Sequence, residues 1–189
     1  MTWIQTFTGR KFDLTNLSSN QIDIVDIAAG LSKVCRFAGQ CPYFYSVAEH
    51  CVLGANYILR TYPDHPHKDS LALEFLLHDA TEAYLGDISY PLKQLIGPEY
   101  KRMEIELDKV IRSQLINSSY KIPPEDSEII SNLDISMCVV ERDYMMGCTH
   151  KWSDRYENAE RVPIDLELWP HNIAFDKYLE TYQSLREKI

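Results

Sequence analysis

The chain has no excess of basic residues. Its 189 residues hold 19 Lys and Arg against 28 Asp and Glu, a formal net charge of -9. Clustered cations are what a protein needs to track a nucleic-acid backbone, so a nucleic-acid polymer is excluded as the expected partner. A small phosphate substrate is not excluded, because a bound metal ion can reverse the local charge. Also missing is any CxxC pair among the five cysteines Cys35, Cys41, Cys51, Cys138 and Cys148. This argues against a zinc-cysteine site and leaves free thiols in a reducing cytosol as the expectation. The N-terminus has no basic region followed by an apolar one, so a cytoplasmic protein is expected. No apolar run approaches the ~20 residues that span a bilayer, so no membrane partner is expected. Internal repeats, low-complexity segments and linkers are absent too. What is present, 45% hydrophobic and 25% charged residues, suits one domain over 1–189 with its core at about 20–147.

Periodicity gives an all-α reading, a helical bundle of five to seven helices behind a short N-terminal β-hairpin. Trp3, Gln5 and Phe7 alternate, Gly9-Arg10 offers a turn, and Phe12 and Leu14 resume the alternation. From Asp23 the period becomes helical through Ile24, Ile27, Ala28, Leu31 and Cys35, with Gly39 and Pro42 marking the exit. Ser46 and Glu49 form a capping box, with Glu49 reaching back, so a helix runs from about Val47 to Arg60 and has His50 in its first turn. His65 and His67 lie in a proline-broken loop and are expected to face solvent. One helix is expected from about Asp69 to Leu85, stopped by Gly86. Pro98 to Leu115, Pro123 to about Met146 and Pro170 to Lys188 read as further helices, with 147–170 mostly loop.

The segment after the apolar run Leu71–Leu77 carries the most chemistry. It reads His78-Asp79-Ala80-Thr81-Glu82, then Gly86-Asp87. On a continuous helix His78, Asp79 and Glu82 share one face. Charges entering an apolar helix are costly unless paired or metal-bound; a surface charge cluster is the plain alternative. Asp134 lies mid-helix beside a core stripe of Ile130, Leu133, Met137 and Val140, and it too needs a partner. Three helices therefore offer His50, His78-Asp79 and Asp134, a mixed nitrogen and oxygen set suited to one divalent transition metal. Such a metal lowers the pKa of its water, and Glu82 is placed to exchange protons.

The order His50, then His78-Asp79, then Asp134 resembles the HD-domain metal-dependent phosphohydrolases over about residues 25 to 145. The segment from Glu82 to Asp87, followed by Pro91-Leu92-Lys93, is most similar to the 5'-deoxynucleotidase and phage-type deoxynucleoside triphosphate triphosphohydrolase branch. The resemblance implies an HD-type fold, with His50, His78, Asp79 and Asp134 as ligands of one divalent metal ion (Co, Mn, Zn, Mg or Fe). It implies Glu82, Arg36 and Asp79 as catalytic residues, Glu82 for proton transfer. Arg36, Phe37, Asp79, Asp87, Ile88, Ser89, Tyr90 and Lys93 become the substrate-binding set. Phe37 stands where the deoxynucleotidases have a Trp near the sugar. A homo-oligomer, at least a dimer, is also implied.

From the residues alone, Arg36 suits bidentate phosphate contact, but it would ordinarily be a surface residue, Phe37 core and Asp87 a turn residue. Glu141-Arg142-Asp143 reads as a structural ion-pair cluster. Glu141 shares a face with Asp134, which leaves open a role in supporting the ligands. His150-Lys151-Trp152 is expected in an exposed loop.

The leading expectation is a deoxynucleotide phosphohydrolase, first a 5'-deoxynucleotidase releasing phosphate from a monophosphate. The alternatives are a triphosphohydrolase releasing triphosphate from a dNTP, a non-catalytic nucleotide-binding or regulatory HD protein, and a small phosphodiesterase. The visible cations near the site are few (Arg36, Lys93 and Lys33), which favours the monophosphate.

Overall fold

A computed structural model describes residues 1–17, 22–116, 122–147 and 150–189; Cys148, expected as a free thiol, lies outside them. The hairpin forms as the alternation requires. Strands β1 (Trp3–Gln5) and β2 (Lys11–Asp13) pair antiparallel, Ile4 opposite Phe12. Gly9, at φ 83°, makes the turn that other residues resist. The hairpin is fastened to the helical core. Phe12 is buried and stacks on Tyr84, and Thr8 donates its N–H and hydroxyl to Asp26 at 2.7 and 3.0 Å.

The helices are α1 (Ile24–Leu31), α2 (Val47–Thr61), α3 (Lys68–Leu77), α4 (Glu82–Leu85), α5 (Tyr90–Ile96), α6 (Pro98–Leu115), α7 (Pro124–Met145), α8 (Asp154–Glu157) and α9 (His171–Arg186). The all-α reading therefore holds. More helices form among the described residues than the five to seven expected, because one expected helix splits and the short α5 and α8 add to the rest. None is long and apolar enough to cross a membrane.

α3 is the hub. Leu71 to Leu77 is an unbroken buried run because α2, α7 and α9 all lie against this helix. Gly54 of α2 is required there, since a Cβ at 54 would fall 2.0 Å from the Phe75 ring. Gly30 does the same service for α1 against α4, where a Cβ would meet the backbone of Ala83 at 2.9 Å.

Four expectations are corrected. α1 stops at Leu31, and Cys35 leaves the helix to bridge Ser46 in extended backbone. Ser46 caps α2 by accepting from the Glu49 N–H at 3.1 Å, but Glu49 does not reach back. Its buried carboxylate instead accepts the N–H groups of Glu167, Leu168 and Trp169 at 2.7–2.9 Å. Those three donors would otherwise be orphaned where the chain turns into α9. His65 is half-buried, its Nε2 3.1 Å from Asp126 of α7; His67 is exposed, as expected.

The fourth correction bears on function. The helix expected over Asp69–Leu85 breaks after Leu77 and resumes at Glu82, through turns closed by i to i+3 bonds such as Ala80 N–H to Leu77 O at 3.0 Å. The His78 Nδ1–H donates to the Phe75 carbonyl at 2.6 Å, so a side chain takes up a carbonyl at the end of the helix. Gly86, at φ 80°, ends α4 as its sequence position suggests.

Candidate metal centre

α7 lies against α2 and α3, which brings His50, His78 and Asp134 together from three helices or helix ends. One ligand atom from each lies within 4.8 Å of the others. The His50 Nε2 is 3.3 Å from Asp134 Oδ1, and the His78 Nε2 is 3.7 Å from that oxygen and 3.2 Å from Asp79 Oδ2. Cys51 Sγ forms a second such group with His78 and Asp79. His50, His78 and Asp134 thus converge, and Asp79 adjoins them through His78.

The protons decide what the site can hold. His50 Nδ1 donates to Glu141 Oε1 at 2.6 Å, and His78 Nδ1 donates to Phe75 O. In neutral rings both Nε2 atoms therefore carry lone pairs. Both are buried and have no hydrogen-bond partner among the described residues. Lone pairs and carboxylate oxygens facing one another need a positive charge between them, and a divalent cation supplies it with the ring tautomers already fixed. Where no cation sits, ring protons meet the same demand for positive charge. Burial pushes the Asp79 carboxyl up, but His78 beside it outweighs this and holds it at about 2. At His50 burial and Arg36 oppose a charged ring, yet Glu141 and Asp134 raise its pKa above the usual value. At His78 burial again opposes, and Asp79 and Asp134 raise it further.

Beneath the ligands lies a buried carboxylate. Glu141, with no exposure, accepts from His50, from Arg36 Nε at 2.9 Å and from the Tyr45 hydroxyl at 2.9 Å. Its seven-residue spacing from Asp134 was the available signal. Nothing in the sequence singled out Tyr45. Arg36 also reaches Asp79, Nη1 to Oδ2 at 3.5 Å, so one guanidinium spans the ligand and the carboxylate that orients His50. Arg142 and Asp143 do form the expected ion-pair cluster, with Glu157 and Arg161.

The remaining expected residues divide. Glu82 is buried, and its Oε2 has no hydrogen-bond partner among the described residues. Burial, with Asp79 and Asp87 nearby, drives its pKa well above the usual carboxyl value, and Lys93 and Arg36 only partly offset this. Asp87 is half-buried; burial raises it, and Arg36 pulls the other way. Phe37 is half-buried at a left-handed φ of 57°, with the Arg36 guanidinium 5.7 Å from its ring and Trp152 edge-on at 6.5 Å. Trp152 is thus half-buried beside the Arg36 turn, whereas His150 and Lys151 of the same loop are exposed as expected. Lys93 is engaged by Glu104 at 2.8 Å and Glu82 at 3.7 Å. Ser89 and Tyr90 are exposed and Ile88 half-buried.

No family model matches the sequence. The chain is 42% identical over 142 residues to the "Uncharacterized protein YfdR" of Escherichia coli K12, which covers 75% of this chain and 71% of that protein. It is 32% identical over 155 residues to the "Uncharacterized protein RCAP_rcc00048" of Rhodobacter capsulatus, covering 81% and 78%. The chain belongs to the family of these two bacterial proteins.

Proposed function

We propose that this chain is a metal-dependent phosphohydrolase of the HD type acting on deoxynucleotides, in the first instance as a 5'-deoxynucleotidase. The observation that carries the reading is the pair of buried, unpartnered Nε2 atoms aimed at the carboxylates of Asp79 and Asp134. His50, His78, Asp79 and Asp134 would hold the ion. When bound, a divalent metal polarises a phosphoryl oxygen and lowers the pKa of water. The protein's part is positioning and proton control. Glu141 and the Phe75 carbonyl fix both imidazoles with Nε2 toward the ion. Glu82, its pKa raised by burial and by the neighbouring Asp79 and Asp87, would pass a proton to the leaving oxygen. Arg36 turns Nε to Glu141 and Nη1 to Asp79, and would contact a phosphate oxygen from beside Asp79.

The charge distribution supports a monophosphate over a triphosphate. Lys93 is neutralised by Glu104 at 2.8 Å. Lys33 donates to the Ala29 carbonyl at 2.8 Å and lies over the Phe7 ring, so it is engaged elsewhere. A triphosphate would need further cations.

The test is product analysis with purified protein, a series of the divalent ions Co, Mn, Zn, Mg and Fe, and panels of dNMPs and dNTPs. Orthophosphate from dNMPs, lost in His78→Ala, is expected. Triphosphate from dNTPs would replace the nucleotidase by the triphosphohydrolase. No release from any nucleotide, with metal bound by calorimetry, would overturn the hydrolase reading.

A further inference from the structure

The turn that presents Arg36 and Phe37 is flanked by two thiols. Cys35 and Cys41 place their sulfurs 3.9 Å apart, and both side chains are half-buried. Cys35 is held by the bridge to Ser46, and the neighbouring Arg36 N–H donates to Tyr45 O at 2.9 Å. Cys41 is held by its Sγ contact to the Tyr43 carbonyl at 3.1 Å. Between them the backbone runs through three successive left-handed residues, Phe37, Ala38 and Gly39, two of them not glycine. Such backbone persists only where its surroundings over-determine it. The juxtaposition of the sulfurs is therefore fixed by the fold on both sides of the turn.

We propose that Cys35 and Cys41 are a redox-active dithiol, and that their reversible disulfide staples the turn carrying Arg36 and Phe37. The oxidant is a low-molecular-weight disulfide of the glutathione type. The thiolate of one cysteine attacks it, forming a mixed disulfide and releasing one thiolate. The second cysteine attacks the protein-bound sulfur of that mixed disulfide, releasing the other. Cys35 and Cys41 together lose two electrons and two protons, and the oxidant gains them as two thiols. The sulfurs need to close from 3.9 Å to about 2.05 Å, a distance that side-chain rotation covers when the backbone already returns on itself. Burial, then Cys35 beside it, pushes the Cys41 thiol up to about 11, so the first attack is slow at neutral pH. The remaining described cysteines make no such pair. Cys51 is fully buried with its sulfur near His78 and Asp79, and Cys138 lies on α7. This step reads sulfur chemistry alone and stands or falls apart from the hydrolase reading.

The experiment treats the folded full-length protein with oxidised glutathione and reads intact mass and linked peptides. The expected product has lost two hydrogens, contains a Cys35–Cys41 cross-linked peptide, and reverts with dithiothreitol. Cys35→Ser should instead retain one glutathione on Cys41, for want of a resolving thiol. Amide exchange at Gly39 and Gln40 should slow in the oxidised protein. Persistent glutathione adducts on both cysteines of the wild type, a cross-link to another cysteine, or no reaction while circular dichroism shows a folded chain would each overturn the proposal.

Discussion

Replacing Glu141 by Gln removes one charge and almost no volume, at a residue with no solvent exposure. Three donors converge on its carboxylate: His50 Nδ1 at 2.6 Å, Arg36 Nε at 2.9 Å and the Tyr45 hydroxyl at 2.9 Å. A carboxylate accepts all three, whereas an amide must turn its NH2 toward at least one of them. Arg36 is left with Asp79 at 3.5 Å as its counter-charge. Breaking a buried pair from one side costs about 3–5 kcal/mol, and Gln keeps part of the hydrogen bonding, so about 3 kcal/mol is expected. In a domain of this size that lowers Tm by roughly 6–12 °C. The second consequence is specific to the proposed metal centre. Without the anion the His50 tautomer is no longer enforced, and loss of a ligand-orienting carboxylate weakens metal binding by about 10–100-fold. Scanning calorimetry reads the first quantity. Titration calorimetry with Mn2+ or Co2+, well below the unfolding transition, reads the second. A folded Glu141→Gln protein that binds metal within about two-fold of wild type would refute the argument that Glu141 orients His50.

Glu49→Gln is the matched control, since that carboxylate serves backbone N–H groups at 167–169 and no ligand; it should cost about 2–3 kcal/mol in denaturant unfolding and leave metal affinity unchanged. Gly30→Ala forces a methyl against the Ala83 backbone and should destabilise by about 1–3 kcal/mol, with urea unfolding as the measure. Alkylation of Cys41 by iodoacetamide in the folded Cys35→Ser, Cys51→Ser, Cys138→Ser, Cys148→Ser background should be slow at neutral pH. Because burial raises this thiol, with Cys35 adding to it in the wild type, the thiolate fraction grows about tenfold per pH unit until the pH passes the thiol pKa. A rate that levels off at about pH 9 would show an unperturbed thiol.

Several parts of this architecture are legible in the residue order. The alternation of Trp3 to Leu14 gives the hairpin, Ser46 caps α2 and places His50 in its first turn, and Gly86 ends α4. Those features depend on contacts within a few residues. Other parts escape the same logic. The periodicity of Asp69–Leu85 contains no glycine or proline, so nothing local announces the break at His78. It arises where buried helix, captured carbonyl and converging carboxylates meet. Glu49 looks like half of a capping box, yet it is claimed by backbone donors about 120 residues away.

The sequence by itself determined the donor set and its spacing: two imidazoles, two carboxylates and Glu82, each set in or beside a helix by local periodicity and caps. Only the tertiary structure decided which protons those donors carry. Packing α7 against α2 and α3 put Glu141 under His50, and the end of α3 gave His78 the Phe75 carbonyl, so both Nε2 atoms face Asp134 and that of His78 also faces Asp79. Packing likewise assigned Lys93 to Glu104 and set Cys35 beside Cys41. Local order sets which face a residue occupies; hydrogen-bond partners across helices set its charge.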